Sequence, residues 1–211
     1  MKISRLIIII AAIMAFVSPV VQCADNRVNP SEIRETYVGS SVADAMRAAL
    51  GADAAFINGS SIGYNDLPQA LNKQTVSKIV PFSNEAVVLL KISGSSVLET
   101  LEQSYRLLPR RSSSFLQVSG ISFSVDENQP EGKRVGNVKI SGKSIDPAKK
   151  YLVATTDFLS TGGGGLKALR AGEPATKKST PIGEILLNNM RYDSSKIDSV
   201  PGRINIIPLK D

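Results

Sequence analysis

The chain has 211 residues, of which 42% are hydrophobic and 21% charged, as expected of one globular domain. Its formal net charge is +6. It contains no histidine and one cysteine, which excludes Ser-His-Asp triads, Cys-His pairs and zinc sites built on these residues. We expect no metal, cofactor or nucleic acid, because the sequence has no acidic metal-binding loop, basic-aromatic ladder or helix-turn-helix pattern.

Residues 1–23 have the residue order of a secretory signal peptide. Basic residues precede an apolar run over residues 6–17, and smaller residues follow it. The run is too short to span a bilayer. The alternative is a lipid anchor on Cys23, which the preceding Gln22 disfavours because a small residue normally stands there. We therefore expect a periplasmic or secreted protein with no transmembrane segment in the mature chain.

The first part of the mature chain predicts two helices and a strand. Ser41 to Asp44 has the form of a capping box and Gly51 is a C-terminal stop, so we expect an amphipathic helix between them. Residues 54–57 are apolar and predict a short buried strand. Residues 75–80 predict a short helix that Pro81 ends, since proline disfavours the helical conformation in the residue before it.

The middle of the chain predicts a strand, a helix and a hairpin. Residues 86–92 are apolar on both faces, as in a central strand. A second capping box at Ser96 starts a helix that stops at Pro109. Residues 115–125 and 134–140 then predict two strands joined by a polar turn.

Residues 151–165 combine a strand with a run of four glycines. The sequence around Phe158 predicts a strand that passes directly into Gly162 to Gly165. A large aromatic at the rim of such a loop suits a ring-stacking ligand; the alternative is a core phenylalanine followed by a turn. A helix from Pro181 and a strand at 203–207 complete one α+β domain, a single mixed α/β domain.

Seven motifs follow one another along the chain: Gly39–Met46, Gly51–Gly59, Pro81–Asn84, Gln117–Phe123, Asp146–Lys149, Tyr151–Gly163 and Gly202–Ile204. In this order and spacing they resemble the C-terminal domain of the 5'-nucleotidase family over residues 35–208. The resemblance implies the fold of that domain and a role in substrate binding. The family's two-metal catalytic centre lies on an N-terminal metallophosphatase domain, which we expect this chain to lack.

The resemblance also implies four site residues. Phe82 and Phe158 match the two phenylalanines that sandwich a purine ring in the family. Asn84 matches an asparagine that contacts the base in some members, and Asn58 matches one that lies near it. The resemblance implies no catalytic and no metal-binding residue in this chain.

Three positions depart from the family pattern, and one of them is Ser113, which stands where a glycine often lies before the aromatic-x-Gln segment. Gly63 stands where the family has an arginine, and Gly164 where it has a ribose-binding aspartate. Stacking of a ring can survive these changes, whereas ribose and phosphate recognition is put in doubt. Arg110 and Arg111 are candidate replacement contacts to phosphate; the alternative is a solvated charge pair.

We therefore expect an exported, stand-alone domain that binds a purine nucleoside or nucleotide ring in nucleotide catabolism or salvage. It would act alone or beside a separate metallophosphatase subunit, without enzymatic activity of its own. The alternative is a degenerate, non-catalytic protein-interaction module with a decayed nucleotide site. An independent hydrolase is the least supported hypothesis, because no catalytic group is visible.

Overall fold

The computed structural model of the chain describes residues 28–210. The predicted signal peptide and Cys23 lie outside the described residues. Within residues 28–210, none of the helices has the length and apolar character needed to cross a membrane.

Five α-helices and ten strands make up this part of the chain. The helices are α1 (Tyr37–Leu50), α2 (Val76–Ile79), α3 (Gly94–Tyr105), α4 (Asp157–Ser160) and α5 (Ile182–Asn189). The strands are β1 (Ala54–Asn58), β2 (Ala86–Ser93), β3 (Leu116–Ser119), β4 (Ile121–Asp126), β5 (Val135–Ile140), β6 (Lys143–Ser144), β7 (Lys150–Thr156), β8 (Glu173–Pro174), β9 (Thr180–Pro181) and β10 (Ile204–Ile207).

The strands form two mixed sheets. The larger sheet has the order β3-β1-β7-β2-β8, and β9 also pairs with β2. In it β1 runs parallel to β7, whereas β3 and β2 run antiparallel to their neighbours β1 and β7. The smaller sheet has the order β10-β4-β5-β6. This mixed α/β architecture confirms the predicted α+β class.

The larger sheet separates two hydrophobic cores. Strand β1 is buried along its whole length, and its side chains alternate between the two faces. Phe56 enters the core that contains α3 and the smaller sheet. Ala55 and Ile57 enter the core formed with α1, α2 and α5. The buried apolar run at 54–57 therefore marks a strand covered on both sides, as the sequence predicted.

Helix α1 begins earlier than the sequence predicted. Its N-cap is Thr36, whose hydroxyl accepts a hydrogen bond from the Gly39 amide at 3.1 Å, and Ser41 is buried inside the helix. The predicted capping box at Ser41 is therefore wrong. In the first turn the buried Ser40 hydroxyl donates to Glu35 Oε1 at 3.0 Å, and Gly39, which has no Cβ, leaves room for the Gln117 side chain. Gly51 ends the helix with a left-handed conformation, as predicted.

Helix α3 shows the same kind of shift. Ser93 caps it by accepting a hydrogen bond from the Ser96 amide at 3.2 Å, so the helix begins at Gly94 and not at Ser96. Serine is a favoured N-cap residue, and Ser93, which comes first along the chain, is the one that caps this helix.

The single strand predicted over residues 115–125 is two strands in different sheets. Gly120 separates β3 from β4 and has a φ of +72°, which a strand residue with a side chain rarely adopts. A Cβ at Gly120 would also collide with the Asp53 carbonyl. The chain therefore turns at Gly120 from the larger sheet into the smaller one, and β4 pairs with β5 as the predicted hairpin.

Candidate ligand-binding site

Three loops meet at one edge of the larger sheet. Because β1 and β7 are parallel, their carboxyl ends lie at the same edge. Strand β2 is antiparallel to β7 and pairs Val87 with Thr156, so the beginning of β2 lies at that edge too. The segments that follow β1 and β7 and the segment that precedes β2 are therefore neighbours.

The three segments enclose a cleft of about 940 Å³. It is lined by Asn58 and Ser60 after β1, by Phe82 and Asn84 before β2, and by Phe158 after β7, among others. The structure thus brings all four predicted site residues to one cleft. Their role in binding stays a prediction.

Phe82 and Phe158 differ in exposure from the other described phenylalanines. Phe82 is 65% exposed and Phe158 is 51% exposed. In contrast, the exposed fractions of Phe56, Phe115 and Phe123 are 0%, 1% and 4%. Among residues 28–210, neither cleft ring contacts another aromatic ring. Both rings therefore present apolar surface to the cleft.

Phe158 lies on a one-turn helix and not at the end of a strand, which corrects the sequence prediction. Strand β7 ends at Thr156, whose hydroxyl caps α4 by accepting a hydrogen bond from the Leu159 amide at 3.3 Å. The Phe158 ring lies over Gly163, where an added Cβ would be 2.6 Å from its Cε2 and Cζ atoms. The glycine run therefore provides the surface on which this ring lies.

The loop that carries Phe82 is fixed by backbone hydrogen bonds. The Glu85 amide donates to the Phe82 carbonyl at 2.9 Å. The Gly183 amide of α5 donates to the Ser83 carbonyl at 2.8 Å. The loop is thereby attached to the start of α5, so Phe82 is exposed on a held backbone.

The two predicted asparagines have different surroundings. Asn58 is buried; its Nδ2 donates to Ser60 Oγ at 2.6 Å and its Oδ1 accepts from Ser61 Oγ at 2.9 Å. Its amide therefore shapes the turn after β1. The Asn84 side chain is exposed and, within residues 28–210, makes no hydrogen bond. Asn84 is thus the more available of the two amides for a ligand.

The charged residues of the cleft are acidic. Glu85 and Asp157 line it, and no lysine or arginine does within the described part of the chain. Sequence reasoning missed both carboxylates; the only signal was their position directly beside Asn84 and Phe158. A cleft with this charge favours ligand groups that are neutral or that donate hydrogen bonds.

The hypothesis that Arg110 and Arg111 replace lost phosphate contacts gains little from the structure. Arg111 pairs with Glu32 at 3.1 Å and lines an adjoining depression together with Lys78. Gly63 also lines that depression, and a Cβ there would collide with the Lys78 carbonyl. The local backbone therefore leaves no room for the family's arginine at this position.

Curated relatives match this chain over most of its length but are much longer. Protein UshA of Salmonella pullorum is 31% identical over 131 residues, which are 62% of this chain and 22% of that protein. The trifunctional nucleotide phosphoesterase protein YfkN of Bacillus subtilis (strain 168) is 29% identical over 181 residues, 81% of this chain and 12% of that protein. The chain thus spans about a fifth or less of these two relatives.

Solved structures share the fold. The 5'-nucleotidase precursor from Thermus thermophilus matches 85% of this chain and 37% of its own with a TM-score of 0.66 and 22% identity. The NAD nucleotidase of Haemophilus influenzae matches 81% of this chain and 33% of its own with a TM-score of 0.62 and 20% identity. Residues 13–171 match the model of the family described as 5'-nucleotidase, C-terminal domain. The chain therefore belongs to the 5'-nucleotidase C-terminal domain family.

Proposed function

We propose that this domain binds the ring of a purine nucleoside or nucleotide between Phe82 and Phe158. One observation carries the proposal: the two exposed phenylalanines among residues 28–210 line the same cleft, while the other three are buried. Exposed apolar rings on a concave surface are characteristic of ligand sites. Stacking of a base on an aromatic side chain is worth on the order of 1–3 kcal/mol per base.

The proposed role is substrate recognition in nucleotide catabolism or salvage. The residues present do not fit a two-metal centre, because residues 28–210 contain no group of three or more His, Cys, Asp or Glu side chains that could hold a metal ion. We propose that a metallophosphatase, acting beside this domain, carries out hydrolysis. Catalysis is therefore not assigned to any residue of the described chain.

Export is part of the proposal and rests on the signal-peptide pattern of residues 1–23. We expect the mature protein in the periplasm or medium, with its N-terminus after Cys23. N-terminal sequencing of the protein recovered from each cell fraction tests this. Recovery of the full-length chain from the cytoplasm would contradict it.

Calorimetric titration of the purified chain with guanosine, inosine and adenosine tests ring binding. We expect saturable binding, weakened about tenfold or more by Phe82→Ala and by Phe158→Ala, because each removes one stacking surface. Tyr64→Ala is the matched control, since Tyr64 is an exposed aromatic outside the cleft. Absence of binding to every nucleoside would refute the proposal and favour the protein-interaction alternative.

A further inference from the structure

Glu85 lies on a fixed backbone in the wall of the cleft. Its amide donates to the Phe82 carbonyl at 2.9 Å, and its carbonyl accepts from the Ile182 amide at 2.8 Å. The residue is partly buried and is one of those that line the cleft, between Asn84 and the start of β2. A carboxylate is therefore held a few residues from Phe82, one of the two proposed stacking rings.

Within residues 28–210, this carboxylate has no hydrogen-bonding or charged partner. Its Oε1 atom is closed off from solvent and receives no hydrogen bond from any group in residues 28–210. Removing a carboxylate oxygen from water without a compensating donor costs free energy. The lining of the cleft contributes no lysine or arginine from the described chain that would offset the charge. Rotation of the Glu85 side chain toward the cleft would bring this oxygen within reach of hydrogen-bond donors on a ligand, which would relieve the cost.

We propose that Glu85 selects the ring that the cleft binds, and that the preferred ligand is a guanine-type nucleoside. This inference rests on the proposed function, because it assigns a ligand class to the same cleft. Guanine presents its N1–H and N2–H₂ donors side by side, which suits the two acceptor oxygens of a carboxylate. Adenine presents a single amino group beside the N1 lone pair, which a carboxylate repels.

The neighbouring amide is consistent with the same preference. The exposed Asn84 side chain has no hydrogen-bond partner within the described residues. Its N–H₂ group can donate to a ring carbonyl such as O6, which guanine and hypoxanthine have and adenine lacks. An acceptor at Glu85 and a donor at Asn84 together complement the N–H and C=O edge of a 6-oxopurine.

Calorimetry of the purified chain with three nucleosides tests the assignment. We expect affinity to fall from guanosine to inosine to adenosine, since inosine keeps N1–H and lacks the 2-amino group. Glu85→Gln is expected to lower guanosine affinity about tenfold or more, because charge-assisted hydrogen bonds are lost. Adenosine affinity is expected to stay the same or rise, because a glutamine amide can pair with adenine. Retained adenosine binding also shows that the variant is folded.

Glu131→Gln is the control, because it makes the same charge change on an exposed residue between β4 and β5, outside the cleft. We expect it to leave all three affinities unchanged.

A wild-type preference for adenosine, or Glu85→Gln with unchanged affinities, would overturn the inference. If binding remained sensitive to Phe82→Ala, the proposed function would still stand. If Glu85→Gln lowered the affinity for all three nucleosides equally, Glu85 would have a structural role, and the inference that it selects the ring would be overturned. Failure of the wild type to bind any nucleoside would overturn both proposals.

Discussion

Between the two sheets, the Tyr105 ring packs edge-on against Phe115 with centroids 4.9 Å apart and lies 5.3 Å from Phe123. At the cleft, by contrast, the rings of Phe82 and Phe158 are more than half exposed. Burial raises the pKa of the Tyr105 hydroxyl well above its usual value, and that hydroxyl donates to the Leu116 carbonyl at 2.7 Å. The core aromatics have their partners within the protein, whereas the cleft aromatics leave their surface open to a ligand.

The aromatic core and the cleft differ in what their rings are expected to contribute, which is stability in the core and binding at the cleft. A buried ring contributes to the free energy of folding through the contacts it makes, and its removal leaves a cavity. An exposed ring contributes little to folding, so we expect Phe82 and Phe158 to contribute to ligand binding and not to stability. Substitutions in the two regions should therefore change different measured quantities.

The largest expected effect is on stability, from Phe115→Ala. We expect the free energy of unfolding to fall by about 3–5 kcal/mol, because the substitution opens a cavity beside Tyr105. Phe82→Ala should change it by no more than about 0.5 kcal/mol, as for other exposed sites. Denaturant unfolding of both variants measures the difference. Equal destabilisation by the two substitutions would remove the distinction between the regions.

An intermediate effect on the free energy of unfolding is expected from Arg203→Ala. The substitution removes side-chain hydrogen bonds that lie far from the cleft. The Arg203 guanidinium donates to the Val118 carbonyl and to Asp44, each at 2.7 Å, and its backbone amide donates to buried Glu35 at 2.8 Å. Loss of these side-chain bonds should lower the free energy of unfolding by about 1–3 kcal/mol.

The folded Arg203→Ala variant should bind nucleosides with the same affinity as the wild type. Arg203→Lys is the control for charge, and it should recover only part of the loss because lysine cannot reproduce the planar guanidinium fork. Full recovery by lysine would show that charge alone stabilises the network.

The sequence predicted the elements that bury apolar side chains more reliably than their boundaries. The apolar runs at 54–57 and 86–92 are strands, since burial on both faces leaves a simple pattern. The start of α1 was missed because its N-cap is Thr36 and its first turns bury Ser40 and Ser41, which do not follow the apolar spacing of a helix. The change of sheet at Gly120 was missed because it depends on a positive φ and on close packing against Asp53.

The residues of the cleft were likewise predicted only in part from the sequence. Phe158 was singled out by its position before the glycine run, the resemblance to a family added Phe82, and the topology brings their loops to the same edge of the sheet. Glu85 was missed because a glutamate before a strand carries no pattern of its own. Its unpartnered oxygen becomes visible only when the surrounding residues are in place.

A smaller effect is expected from Gly163→Ala, which changes the surface beneath the Phe158 ring. The added Cβ would lie 2.5 Å from the Phe158 carbonyl oxygen and 2.6 Å from two of its ring atoms, so both the local backbone and the ring must move. We expect nucleoside affinity to fall about threefold to tenfold, a partial loss of stacking energy. Gly136→Ala is the control, because the nearest atom to its added Cβ is 3.4 Å away and lies outside the cleft. An unchanged affinity in Gly163→Ala would argue against a binding role for this ring position.

Proton NMR of a bound nucleoside tests most directly whether a ring stacks between Phe82 and Phe158. With inosine, we predict an upfield shift of the ring H2 and H8 signals on binding and nuclear Overhauser contacts to both phenylalanine rings. Phe82→Ala or Phe158→Ala should each remove one set of contacts and reduce the shift. Saturable binding without an upfield shift, or with contacts to neither phenylalanine, would contradict the account.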